Sequence, residues 1–206
     1  MVTITRFITG PIETNTYLVS NDKGKCIVVD PASGCGEIIK KIRKESLSIE
    51  AVVLTHSHFD HITGIPEFFD AFGELPVYIH PSEAKFLPDV RLNGSLWFGE
   101  NFAFYGKAEA LDEGKQQIGS FEFNVLHVPG HTPGGCALCM DGNCLCGDSL
   151  FAGGVGRSDL PGGDGGLLVH SIKKKLLTLP DTTVVWPGHG GRTTIGREKK
   201  SNQFLF

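Results

Sequence analysis

The amino-acid sequence predicts an α/β fold of the α+β type, in which two β-sheets face each other and helices cover their outer faces. Two observations lead to this prediction: predicted strands are grouped in each half of the chain, and each group is followed by a helix. Sheets with one apolar face are buried against each other, and amphipathic helices cover the faces that remain. The 206 residues contain no linker or low-complexity segment, which favours one domain.

The first half of the chain contains short segments in which apolar residues alternate with polar ones or run together, as they do in strands. Isoleucines recur at helical spacing in GEIIKKIRKESL, which predicts a helix over residues 36–47. A second helix is predicted over residues 61–73, and short helix plus loop over residues 81–106. The strands predicted in this half are 2–9, 14–20, 25–30, 51–55 and 77–80.

The second half repeats this arrangement. Asp141-Gly142 is a strong hairpin-turn signal between predicted strands at residues 134–140 and 144–151. A helix is predicted over GLLVHSIKKKLLTL, residues 166–179. Further strands are predicted at residues 118–128 and 182–187.

Bulk composition argues against two classes of partner. A formal net charge of -4 gives no basic surface for nucleic acid. No run of about 18 apolar residues occurs, and the N-terminal MVTITRFITG resembles no export signal. We therefore expect no nucleic-acid partner, no membrane association, a cytoplasmic location and reduced cysteines.

Four of the six cysteines, at positions 136, 139, 144 and 146, have a spacing that could form a zinc knuckle. They fall, however, on opposing strands of the predicted hairpin, where side chains alternate between faces. Four sulfur atoms cannot easily converge from such positions. The pattern therefore favours small buried apolar side chains over a knuckle.

The segment HSHFDH, residues 56–61, directly follows the apolar run AVVLT. In an extended or turning segment His56 and His58 point the same way and can share one metal ion. Asp60 and His61 lie further along, where the next helix is expected to begin, and can reach a second ion. Imidazole and carboxylate groups are the ligands of zinc, manganese and iron.

Three more side chains occur in the same context, at the end of an apolar strand. They are His131 in PGHTPGG, Asp148 in CGDSLF and His189 in PGHGG. If these strands lie side by side, their loops emerge at one rim. Seven donors exceed the needs of one tetrahedral ion but suit two ions about 3.5–4 Å apart. His80, His127 and His170 lack this context and are expected to be structural.

The motif T-H-x-H-x-D-H at residues 55–61, followed by His131, Asp148 and His189, resembles the metallo-β-lactamase superfamily. The resemblance covers nearly the whole chain and implies an αββα sandwich with a dinuclear site at one edge of the two sheets. It implies one metal on His56, His58 and His131, and a second on Asp60, His61 and His189, with Asp148 bridging. Zinc is the expected metal, with iron or manganese as alternatives.

Further segments resemble the short glyoxalase II-like (hydroxyacylglutathione hydrolase-like) branch. They are GDSLF, GRSDLPGGD and PGHGGRTTIGREKKSNQFL. Full-length glyoxalase II carries an additional helical domain that helps to bind glutathione. This chain ends 17 residues after His189, so we expect one domain over residues 1–206 without that addition.

The resemblance implies hydrolysis of a small-molecule thioester, such as S-lactoylglutathione or a related hydroxyacyl thioester, by a metal-bound hydroxide. Asp60 is then both ligand and catalytic residue, because it can orient the hydroxide. A rival is a persulfide dioxygenase-like oxidoreductase with one iron on His56, His131 and Asp148. The ligand pattern fits both; oxygen uptake with glutathione persulfide, set against thiol release from S-lactoylglutathione, separates them.

Two interpretations remain open for the aromatic-rich stretch within residues 81–106: its side chains could wall the substrate pocket, or they could only cover the sheet. The residues concerned are Phe86, Leu92, Leu96, Trp97, Phe98, Phe102 and Phe104. Arg157 and Asp159 are expected to pair and brace a glycine-rich loop, and Asn15 and Tyr17 to be structural.

Overall fold

Two six-stranded β-sheets pack face to face in the computed structural model, which describes residues 2–206. The strands of the first sheet are β1 (Val2–Thr9), β2 (Thr14–Asn21), β3 (Lys25–Val29), β4 (Ser48–Val53), β5 (Val77–Ile79) and β6 (Glu109–Ala110). They lie across the sheet in chain order. The pairs β1-β2 and β2-β3 are antiparallel, and β3 to β6 run parallel.

The second half of the chain supplies the other sheet and a small ribbon. Its strands are β7 (Gly114–Ile118), β8 (Phe121–His127), β9 (Cys136–Met140), β10 (Asn143–Gly147), β11 (Leu150–Phe151), β12 (Gly154–Val155), β13 (Val184–Pro187) and β14 (Thr193–Thr194). The sheet has the order β14-β13-β10-β9-β8-β7, and β11 pairs only with β12. Because β10 and β13 are parallel, both end at the same edge of the sheet.

Helices cover the outer faces of both sheets. They are α1 (Gly36–Lys44), α2 (Ile65–Phe72), α3 (Gly165–Ser171) and α4 (Ile195–Ser201). A π-helical segment, Ile172–Leu176, continues α3, and 3-10 turns occur at Phe59–His61, Pro81–Glu83 and Ser95–Phe98. Over residues 2–206 no helix is both long and apolar enough to cross a membrane.

The main apolar core lies between the two sheets. Val29 and Val53 from the first sheet meet Phe123 and Leu138 from the second, all almost fully buried. Separate apolar clusters join α1 and α2 to the first sheet and α3 to the second. This layering confirms the predicted αββα sandwich.

Several predicted elements have different bounds because glycine and proline interrupt them. The predicted helix 61–73 begins only at Ile65, since Gly64 precedes it and Pro66 occupies its first turn. The predicted strand 118–128 is two strands, because Gly119 adopts a φ of 55° and turns the chain between β7 and β8. Gly147, with a φ of 50°, ends β10, so the predicted strand 144–151 is also divided.

The predicted hairpin around Asp141-Gly142 is present. Both residues have positive φ, at 46° and 74°, as the tight turn between β9 and β10 requires. The cysteines on this hairpin do not form a knuckle: Cys136 faces the core between the sheets, while Cys144 and Cys146 face the helices. Among residues 2–206, the side-chain groups that could hold a metal ion contain only histidine and aspartate.

Candidate metal centre

Four loops that follow the ends of strands converge at one rim of the sandwich. They follow β4, β8, β10 and β13, and carry the segment 56–61, His131, Asp148 and His189 respectively. Backbone hydrogen bonds join the loops across the sheets: the Cys136 amide donates to the Thr55 carbonyl at 2.9 Å, and Thr14 forms an isolated bridge with His189. The predicted common rim is therefore present.

The first group of donors is His56, His58 and His131, whose donor atoms lie within 4.8 Å of one another. Nδ1 of His58 is 2.8 Å from Nε2 of His131. Nδ1 of His131 faces the Arg157 carbonyl oxygen at 2.7 Å and must donate to it. In the neutral ring this leaves the Nε2 lone pair of His131 directed toward His58.

The second group is Asp60, His61 and His189. Oδ2 of Asp60 is 3.2 Å from Nε2 of His61 and 3.2 Å from Nε2 of His189. Asp148 lies between the two groups: its Oδ1 is 3.5 Å from Nε2 of His61, and its Oδ2 is 3.7 Å from Nε2 of His131 and 3.6 Å from Nε2 of His189.

The hydrogen bonding of these side chains fits the binding of metal. Nε2 of His56, Nε2 of His61 and Oδ1 of Asp148 are buried and have no hydrogen-bond partner. Leaving a buried polar atom unsatisfied costs about 1–3 kcal/mol, and more for a charged group. Imidazole nitrogens and carboxylate oxygens that converge without partners are the donor set of zinc or iron.

Burial keeps two of the first three donors, His56 and His58, in the form that binds metal. Burial, assisted by the adjacent His131, lowers the pKa of His58 to about 3. The pKa of His56 lies well below its ordinary value because of burial and the neighbouring imidazoles of His61 and His131. Both rings are therefore neutral at physiological pH, with lone pairs available to a cation.

In the second group, the interactions between carboxylates and imidazoles shift the pKa values of both. Burial would raise the pKa of Asp60, but His61 and a hydrogen bond from His189 outweigh it and hold this pKa well below its usual range. Burial would lower the pKa of His61, but Asp60, Asp148 and Asp30 together hold it well above the ordinary value. The carboxylates are thus ionised, and positive charge is favoured among them.

Asp30 orients the centre, although it was not among the predicted site residues. Its Oδ1 accepts from the Thr55 amide at 2.8 Å, its Oδ2 accepts from Thr55 Oγ1 at 2.6 Å, and Oδ2 is 3.1 Å from Nδ1 of His61. Thr14 Oγ1 similarly donates to Oδ2 of Asp60 at 2.9 Å. The signal for Asp30 was its place at the end of the apolar run KCIVV, as for the donors themselves.

Glu83 is a second orienting residue that sequence reasoning missed. It is fully buried and accepts hydrogen bonds from the Ser57 amide at 3.0 Å, from the Ser57 hydroxyl and from the Gly134 amide at 2.6 Å. It thereby ties the loop of His58 to the loop of His131. It lies in a 3-10 turn that begins two residues after β5, and it was not singled out because the motif that carries the donors does not include it.

Several residues expected to be structural make hydrogen bonds or ring contacts within the fold. Asn15 Nδ2 and Tyr17 OH both donate to the Pro187 carbonyl, at 2.8 Å and 2.6 Å, and so hold the strand that precedes His189. Arg157 Nε and Nη2 donate to the two carboxylate oxygens of Asp159 at 2.7 Å and 2.8 Å. His80 and His127 stack on each other with ring centroids 4.2 Å apart, outside the centre.

A cavity of about 350 Å³ opens above the donors. Its walls include Phe98, whereas Phe86 and Phe104 are buried in the fold, so each interpretation of the aromatic stretch holds for part of it. The other lining residues are Ile12, His58, Phe59, Asp60, Asn93, Gly94, His131, Asp148, Phe151, Arg157, Leu160 and His189.

The fold, this rim of donors and the relatives that the chain matches indicate a metal-dependent hydrolase. The family model described as the metallo-beta-lactamase superfamily matches residues 9–189, and the chain belongs to this superfamily. It is 40% identical to the probable metallo-hydrolase YqgX of Bacillus subtilis (strain 168), covering 97% of this chain and 96% of that protein. It is 35% identical to the hydroxyacylglutathione hydrolase GloC of Haemophilus influenzae (strain ATCC 51907 / DSM 11121 / KW20 / Rd), covering 94% and 93%.

Solved structures agree with this assignment. The crystal structure of the BLEG-1 B3 metallo-beta-lactamase superimposes with a TM-score of 0.93 and 39% identity, covering 98% of this chain and 99% of that one. The di-iron-bound form of TTHA1623 superimposes with a TM-score of 0.88 and 36% identity, covering 98% and 100%. The predicted resemblance to the superfamily and to hydroxyacylglutathione hydrolases is confirmed.

Proposed function

We propose that this protein is a dinuclear metal hydrolase that cleaves a thioester, such as S-lactoylglutathione or a related hydroxyacyl thioester. The observation that carries the proposal is the position of Asp148 between two groups of three donors, facing a cavity that can admit a substrate. The 35% identity to a hydroxyacylglutathione hydrolase supports the choice of thioester.

The proposed ligands are His56, His58 and His131 for one ion, and Asp60, His61 and His189 for the other, with Asp148 shared. Two divalent ions held there would acidify water from a pKa of about 15.7 toward 7 and polarise a carbonyl group.

We assign Asp60 a second role. It lines the cavity and is ionised, so its carboxylate can accept a hydrogen bond from the attacking water and orient it. Thr14, which donates to Oδ2, holds that carboxylate in place. The thiolate that departs is the base of a thiol of pKa about 8.5 and needs little help from a protein acid.

Zinc is the metal we propose first, because three imidazoles with one carboxylate suit its coordination chemistry. Iron is the alternative, supported by the di-iron form of a structure 36% identical to this chain. Metal analysis of protein purified from its own source decides between them.

The test compares metal content and thioester hydrolysis in wild-type protein and in Asp148→Ala. Loss of the shared carboxylate is expected to reduce bound metal below two ions per chain and turnover by at least about 100-fold. Asp70→Ala is the matched control, because Asp70 is an exposed carboxylate on α2 away from the rim. Full activity in metal-free Asp148→Ala protein would contradict the scheme.

Two further assays separate thioester hydrolysis from the activities of similar folds. Oxygen uptake with glutathione persulfide, in place of thiol release, would replace the proposal with an oxidoreductase. If the protein hydrolysed a β-lactam faster than it hydrolysed any thioester, its activity would be that of a metallo-beta-lactamase, as named for the BLEG-1 structure.

A further inference from the structure

The centre opens into a groove with two connected parts. The cavity of about 350 Å³ above the donors adjoins a second cavity of about 590 Å³. Both are lined by Phe98, Arg157 and Leu160, which places the two cavities side by side as the inner and outer parts of one groove. The outer part lies between the 3-10 turn Ser95–Phe98 and the loop that carries Asp159.

The inner part of this groove exposes mainly apolar surface, and the outer part exposes apolar and polar surface in similar measure. Phe59 and Phe98 lie in the inner part with ring centroids 5.2 Å apart, and Trp97 lines the outer part. Trp97 is 64% exposed, yet its indole Nε1 donates to the Arg91 carbonyl at 3.1 Å, which fixes the ring. Exposed aromatic side chains held beside a pocket favour binding of an apolar or aromatic group.

The groove offers little to a charged group. Among the described residues that line its two parts, the cation outside the histidines is Arg157. Its Nε and Nη2 are already paired with the Asp159 carboxylate. Glutathione carries two carboxylates and one ammonium group, and a protein that recognises such charges needs further cations positioned for them.

We propose that this groove binds an uncharged apolar group of the substrate, preferably aromatic, and that the peptide charges of glutathione are not recognised. This inference rests on the proposed function and names its substrate class. The same chemistry can come from the acyl side or from the thiol side of the thioester, and the experiment distinguishes the two.

The test uses metal-loaded full-length protein and four thioesters. Two are lactoyl esters, of glutathione and of the small uncharged thiol N-acetylcysteamine. The other two carry a phenyl ring. The mandeloyl ester of N-acetylcysteamine has it on the acyl side, and the lactoyl ester of benzyl mercaptan has it on the thiol side. We expect kcat/KM for one aromatic ester to exceed that of lactoyl-N-acetylcysteamine by about tenfold. Glutathione is expected to give no more than about a threefold gain over N-acetylcysteamine.

The variant Trp97→Ala tests the outer part of the groove. It is expected to raise KM for the preferred aromatic ester by about tenfold while kcat changes much less, and to lower the aromatic-to-small selectivity. The matched control is Tyr105→Ala, since Tyr105 is 83% exposed and lines a different cavity. The inhibition constant of the uncleavable thioether S-benzyl-N-acetylcysteamine should rise in parallel in Trp97→Ala only.

Two results would overturn the inference: S-lactoylglutathione preferred over both aromatic esters by tenfold or more, or an equal loss for all four esters in Trp97→Ala. Failure of the proposed function gives a different result, in which wild-type protein cleaves none of the esters. In that case the binding of the thioether to wild-type protein, measured by fluorescence, tests the groove independently of catalysis. Absence of that binding would also contradict the inference.

Discussion

At the scale of single residues, the first group of donors depends on His56 and His58, whose buried rings are neutral. His58 has neighbours that disfavour a positive ring, and burial with His131 beside it lowers its pKa to about 3. An unfolded histidine has a pKa of about 6.5. Between these values the unfolded chain binds a proton that the folded, metal-free protein does not.

The stability of metal-free protein should therefore fall as the pH is lowered. Since the unfolded state binds more protons between pH 6.5 and about 3, the free energy of unfolding decreases through this range. His58 contributes up to about 1.4 kcal/mol per pH unit. Urea unfolding of wild-type and His58→Gln protein at several pH values, with chelator present, measures the difference in slope.

His170→Gln provides the control for this measurement, because His170 is exposed on α3. It should leave the pH dependence unchanged. Equal slopes in wild-type and His58→Gln protein would show that His58 titrates normally in the fold.

The candidate metal donors were predictable from the sequence, but the groups that orient these donors largely were not. His131 stood out because it follows an apolar strand and is flanked by glycines. The carbonyl of Arg157 that fixes its ring is 26 residues away and carries no side-chain signal. Backbone partners distant in the chain depend on the tertiary fold, which a local pattern does not encode.

At the scale of elements, the loops that follow β10 and β13 approach each other so closely that glycine is required between them. A Cβ atom at Gly188 would lie 2.0 Å from Oδ1 of Asp148 and 2.7 Å from Cε1 of His61. Real Cβ atoms do not approach other heavy atoms this closely, so one of the two side chains would have to move.

The variant Gly188→Ala should therefore lose metal affinity and activity by about 10–100-fold, because it displaces the shared carboxylate. Gly191→Ala lies three residues further along the same loop, where a Cβ atom meets no heavy atom within 4 Å. The Gly191→Ala variant should keep the metal affinity and the activity of the wild-type protein. Titration of metal-free protein with zinc in the presence of a competing chelator measures the affinities, and equal values for both variants would contradict the steric argument.

Elements were predictable where apolar periodicity was strong and less so where it was weak. The helix around Ile38 and Ile42 was expected and is present. The strand Gly114–Ile118 was missed because its sequence GKQQI is mostly polar, as suits a strand at the edge of a sheet. The strand Thr193–Thr194 was also missed: only its pairing with β13 defines it.

At the scale of the whole molecule, the candidate ligands come from both halves of the chain and both sheets. The segment 56–61 follows the first sheet, while His131, Asp148 and His189 follow strands of the second. Ions bound at this rim would join the two sheets in the folded protein only. A ligand that binds the folded state alone raises its stability by mass action.

Removal of metal should accordingly lower the melting temperature. At metal concentrations about 100 times Kd, binding contributes about 2.7 kcal/mol, equivalent to about 5–10 °C for a domain of this size. Scanning calorimetry with and without chelator measures the shift, and added zinc should restore it. Asp148→Ala protein should show a smaller shift, and an unchanged melting temperature in chelator-treated wild-type protein would contradict the account.

The arrangement of two facing sheets was predictable because strand groups in each half were separated by helices. The meeting of four strand ends at one rim was predicted from their side chains alone, because the parallel pairing of β10 and β13 after a long crossover that contains α3 has no local sequence signal. Side chains of the types that bind metal, placed at four separate strand ends, indicate such a rim because they can then share ions.

The donors and the outer walls of the groove lie in different segments of the chain, and this has a consequence for evolution within the superfamily. The seven candidate donors lie in loops that follow strands of the two sheets, whereas Trp97 and Pro161 belong to segments that carry no candidate donor. Mutations in those two segments can alter which molecules enter while the reactive centre stays intact. Related chains can thus diverge to new nutrients or toxins without rebuilding their chemistry.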